Sequence, residues 1–102
     1  MRGIVYGKTF KSAERRFEQI IKDYQFVGIE LERIARLRYQ INAIFKNGDQ
    51  WLATGASDSC RGRACNIAYI DYDISPDLIQ CVILPTVKQP PFQGVHYYYG
   101  QE

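Results

Sequence analysis

The chain has 102 residues, enough for one small domain spanning 1–102, and its 46% hydrophobic and 14% aromatic content supplies a packed core and excludes a disordered chain. A net charge of +2 is too small to mark a nucleic-acid binder by composition alone, although only Lys88 is basic after Arg63, so a polyanion contact is expected on the amino-terminal part. Three cysteines (Cys60, Cys65, Cys81) without a CxxC pair argue against a disulfide framework or a structural zinc and for reduced thiols in a cytoplasm.

The amino terminus lacks the apolar core of a signal peptide, and no run approaches the length of a membrane span, so no membrane partner is expected. Ile4-Val5-Tyr6 predicts a short strand that becomes a loop. The surrounding Gly3-IVY-Gly7-Lys8-Thr9 nearly spells a phosphate-binding loop, but that motif has four residues between its glycines and here there are three. Ser12 is the expected N-cap of a helix, with Glu14 in its first turn and Ala13, Phe17, Ile20, Ile21 and Tyr24 as its apolar face. Arg15 and Arg16 are expected on the solvated face, and the helix ends between Gln25 and Gly28.

Residues 28–37 mix two periods: Ile29 and Leu31 alternate, while Leu31, Ile34 and Ala35 suit a helical turn. The expectation is irregular structure with a short helical turn. Tyr39, Ile41, Ala43 and Phe45 then alternate with polar residues, Asn47-Gly48 follows, and a second strand-like run continues through Trp51 to Ala53. Asn-Gly there predicts a hairpin whose two central residues both have positive φ.

After a loop of small and polar residues through Arg63, Ile67-Ala68-Tyr69-Ile70 is a short apolar run ending in Asp71-Tyr72-Asp73. Such a run reads as a strand buried on both faces, as in a parallel sheet, and its terminal acid would stand where open α/β sheets place ligands. Four hydrophobic residues followed by Asp is also the Walker B pattern, in which the carboxylate holds Mg²⁺. Ser75-Pro76-Asp77 predicts a helix with Leu78, Ile79, Cys81 and Val82 as its apolar face and Leu84 near its end. The stretch 94–100 predicts a last strand with Val95, Tyr97 and Tyr99 on one face. The sole histidine, His96, is expected to pack or lie on the surface, since no nucleophile motif accompanies it. The adjoining tyrosines suit cross-strand packing, with base stacking as the functional alternative.

The order of strand, helix, Asn-Gly hairpin (INAIFKNGDQWL, 41–52), small-residue loop with Arg-Gly (GASDSCRG, 55–62) and hydrophobic strand ending in Asp (IAYID, 67–71) resembles the ATPase domain of the large terminase subunit, the DNA-packaging motor of tailed bacteriophages. The resemblance implies an α/β fold: a partial P-loop NTPase (RecA-like) sheet with flanking helices and a β-hairpin. It implies that Asp71 is the Walker B carboxylate ordering Mg²⁺, and that Arg61 lies near the nucleotide or a subunit boundary. The next position, where the family has its catalytic Glu, is Tyr72, whose phenol cannot act as a base at neutral pH. Asp73 could take that catalytic role only if the strand has already ended in a turn.

The family's phosphate-binding loop and its nuclease domain have no counterpart here. The implied function is therefore a segment or relic of a packaging ATPase, with Mg and ATP as cofactors only if the intact motor supplies the missing loop, and otherwise none. Other terminase or portal subunits and double-stranded DNA are the implied partners, in the host cell cytoplasm. The alternative is a small phage-type interaction protein that binds a motor subunit, DNA or a host factor without catalysis.

Overall fold

The computed structural model describes residues 1–100 as a six-stranded mixed sheet with helical layers on both faces. The strands are β1 (Arg2–Gly7), β2 (Leu31–Arg36), β3 (Gln40–Phe45), β4 (Gln50–Gly55), β5 (Ile67–Asp71) and β6 (Gly94–Tyr98), in spatial order β2-β3-β4-β1-β5-β6. β1 lies between β4 and β5 and is parallel to both; β6 is parallel to β5, whereas β2, β3 and β4 form an antiparallel meander. β1 is covered on both faces, which accounts for its unbroken apolar run: Val5 faces one core, Ile4 and Tyr6 the other, and all three are buried.

The first core lies under helix α1 (Phe10–Phe26), whose buried Ala13, Phe17, Ile20 and Ile21 pack on Val5, Ile41, Ala43, Phe45, Trp51 and Ala53. Thr9, not the expected Ser12, caps this helix: its hydroxyl accepts from the Ser12 amide at 3.3 Å. The helix therefore begins earlier than expected and carries no acid in its first turn. Ser12 is buried, and Glu14 lies beyond the first turn, 4.0 Å from Arg36. Arg16 also departs from the solvated-face expectation, since its guanidinium sits over the Tyr69 ring, 4.7 Å from the centroid.

The second core lies on the opposite face, under a short helical segment made of α2 (Pro76–Leu78), a π-helical turn (Ile79–Ile83) and a 3-10 turn (Leu84–Thr86). The π turn is wider than an α turn and shifts the inward face. Val82 and Ile83 are buried, while Cys81, expected on the apolar face, is exposed, as is Leu84. A buried relay ties this segment to β1. The Tyr6 hydroxyl donates to Thr86 Oγ1 at 3.0 Å, and Thr86 Oγ1 donates to the Ile83 carbonyl at 2.6 Å.

Two local expectations are corrected. Residues 31–36 form a strand rather than a helical turn; a bulge between Leu31 and Arg33 breaks the two-residue alternation, so that Leu31 and Ile34, three apart, both pack on the first core. The hairpin between β3 and β4 is present, but only Gly48 has positive φ (+95°). The Gly48 amide donates to the Phe45 carbonyl and the Phe45 amide to the Asp49 carbonyl, so Lys46 and Asn47 occupy an ordinary right-handed turn and Gly48 supplies the left-handed step that rejoins β4.

Candidate functional site

The chain leaves β1 through α1 towards the β4 side of the sheet, and leaves β5 through the 76–86 segment towards β6 on the other. The carboxyl ends of β1 and β5 thus flank the point where the winding reverses, the place at which open α/β sheets hold ligands. Asp71 stands at that point. It ends β5 opposite Tyr98 of β6, with the β1–α1 junction on its other side.

Its carboxylate is closed off, with 1% of the residue exposed. Oδ2 accepts the Ser12 hydroxyl at 2.8 Å and the Lys8 amide at 3.1 Å; Oδ1 accepts the Asp73 amide at 3.0 Å and the Gly100 amide at 3.2 Å. Four donors fill the four lone-pair positions of a carboxylate. Burial pushes this carboxyl up, but the hydrogen bonds from Asp73, Lys8, Ser12 and Gly100 outweigh it and hold the group below the ordinary range. The group is ionised at neutral pH and fully hydrogen-bonded. A hard cation would need an oxygen that is already in use, so this arrangement does not fit Mg²⁺ as it stands.

Asp73 meets the geometric condition set by the sequence, because β5 ends at Asp71 and residues 72 and 73 form a turn. Its backbone amide closes that turn on Asp71, while the side chain is exposed. Arg61 lies apart from these two. It follows a 3-10 turn (Asp58–Cys60), sits 3.3 Å from the Asp58 carboxylate and donates to the Cys81 carbonyl at 3.4 Å, beside the 76–86 segment. Tyr72, at the position of the family's catalytic Glu, is half exposed and stacks on Tyr97 and Tyr99, with ring centroids 5.2 and 4.5 Å away. His96 is exposed and makes an edge contact with Tyr69. Among the described residues, no group of three or more His, Cys, Asp or Glu could hold a metal, and no helix is long and apolar enough to cross a membrane.

The sequence pattern offers Ser12 as a helix cap, whereas the structure makes it the partner of Asp71. A cap is a local feature, whereas this bond joins residues on different elements, and nothing in the local pattern announces it. A depression of about 490 Å³ over the amino ends of β1 and β4 is bordered by Arg2, Trp51 and Arg63, away from Asp71. A larger cleft of about 610 Å³ opens at the carboxyl ends of β1 and β4, bordered by Lys8, the turn carrying Arg38 and Tyr39, Ser57, Ser59 and Arg63. No carboxylate lines it. Comparison with protein-family models, curated proteins and solved structures finds no match.

Proposed function

We propose that this chain is a relic or segment of a terminase-type packaging ATPase that keeps the central sheet and its Walker B-like strand but does not hydrolyse ATP by itself. One observation carries the reading: β5 is an interior strand between two parallel neighbours, and it ends in a carboxylate that serves the fold. In that role Asp71 ties the start of α1, the turn after β5 and the Gly100 backbone into one joint through four hydrogen bonds. Phosphoryl transfer depends on amides and cations held around the phosphates. Here the residues between Gly3 and Gly7 are strand rather than a loop wrapping an anion.

Arg61 and Asp73 retain the roles that the resemblance gives them only within an intact motor. There, Mg²⁺ and the phosphates would be held by residues from outside this chain, because the Asp71 oxygens are already in use. Calorimetric titration of Mg·ATP tests the reading: weak residual binding without turnover is expected, and turnover at a rate typical of an ATPase overturns it.

A second reading, the non-catalytic interaction protein, is favoured by the cleft at the carboxyl ends of β1 and β4. Three cations border it without a facing acid, which is a surface for binding an anion rather than for reacting with one.

A further inference from the structure

We infer that this cleft binds single-stranded nucleic acid, with phosphodiesters on Lys8, Arg38 and Arg63 and a base on Tyr39; the inference rests on the interaction-protein reading and names its partner. The cleft lies between the β1–α1 junction, the β2–β3 turn and the loop after β4, so its cations come from three separate chain segments. Lys8, Arg38 and Arg63 make no ion pair among the described residues, in contrast to Arg36, Lys46 and Arg61, which face Glu18, Glu30 and Asp58. The Arg63 Nε is buried and has no hydrogen-bond partner among the described residues.

The other lining groups suit the same ligand. Ser57 and Ser59 present hydroxyls 2.6 Å apart, either of which can donate onward to a phosphate oxygen. Tyr39 is 65% exposed, with the Arg38 guanidinium 5.2 Å from its ring centroid. An exposed ring beside a row of cations is the arrangement on which unpaired bases stack while the backbone follows the charge. A duplex hides its base faces and would leave Tyr39 unused. An isolated nucleotide prefers a pocket that encloses it, whereas this cleft is open to solvent.

The test is fluorescence anisotropy with a labelled oligo-deoxythymidine strand of about 15 nucleotides, titrated at several salt concentrations. Three phosphate contacts predict that log K falls with log salt at a slope of about −2. Lys8→Glu with Arg38→Glu should weaken binding about tenfold or more and flatten that slope, and Tyr39→Ala should weaken it about fivefold or more. Lys8, Arg38 and Tyr39 are all exposed, so these variants leave the core intact. Lys22→Glu, on an exposed position of α1 outside the cleft, is the control and should change affinity less than about twofold.

Equal weakening by the control, tighter binding of duplex than of single strand, or no binding at about 50 mM salt each overturns the assignment. Tighter binding of duplex overturns only the single-strand assignment and leaves the interaction-protein reading standing, whereas ATP turnover would overturn that non-catalytic reading without changing the binding outcomes.

Discussion

The Ser12 hydroxyl donates to the Asp71 carboxylate at 2.8 Å across 59 positions of sequence, joining the first turn of α1 to the end of β5. That bond makes Asp71 the joint between the amino-terminal helix and the centre of the sheet. Its energetics follow from its closure. Every acceptor site is used, so a substitution leaves buried donors without partners.

Asp71→Asn is therefore expected to destabilise the protein by about 3 kcal/mol, because an amide presents its NH₂ group to donors that need an acceptor. Urea denaturation at neutral pH measures it. The wild type should also lose stability in acid. With the folded carboxyl held below its unfolded value, the unfolded state binds more protons near pH 4, so stability rises with pH through that region. The contribution is complete above about pH 4 and disappears as pH falls through the lower folded value; the Asn variant should lack this portion of the acid slope.

An alkaline limit is expected for the opposite reason. Burial raises the phenols of Tyr6, Tyr24 and Tyr98, reinforced by Asp49 at Tyr24 and by Asp71 at Tyr98. The folded state thus holds protons that the unfolded state releases, and stability is full below about pH 10 and falls as pH rises beyond it. Tyr6→Phe should reduce that alkaline slope and cost about 1 kcal/mol at neutral pH through the lost bond to Thr86. Thermal melts across an alkaline pH series check both.

Phe17 is fully buried between α1 and the sheet. Phe17→Ala should cost about 3–5 kcal/mol from lost burial and the cavity left behind. Gly48→Ala isolates backbone strain instead, since an added Cβ meets nothing within 4 Å while φ is +95°. It should cost about 1 kcal/mol, measured by chemical denaturation against the wild type.

The strands and helices that follow one period were legible in the sequence. Phe17, Ile20 and Ile21 predicted the buried face of α1, and Ile41, Ala43 and Phe45 predicted that of β3, because each sees a single packing surface. The bulge at Leu31–Arg33 imitated a helical spacing, and the π turn at Ile79–Ile83 moved Cys81 outward; both are irregularities that propensity does not encode. β5 was expected to be buried on both faces. Ala68 and Ile70 are, but Ile67 and Tyr69 remain half buried, with the Arg16 guanidinium over the Tyr69 ring. The position of Asp71 at a strand end was readable from five residues. Its four donors come from three segments, which only the folded chain brings together. The cleft was hidden for the same reason: Lys8, Arg38 and Arg63 are distant in sequence, and composition showed only that the basic residues are concentrated before residue 64.

The most direct test of the structural role given to Asp71 is Mg²⁺-dependent ATP turnover by the purified chain, measured beside its Asp71→Asn variant. The account predicts no turnover above background for either protein, together with a lower melting temperature for the variant. Turnover in the wild type that vanishes in an Asp71→Asn protein of undiminished stability would contradict it.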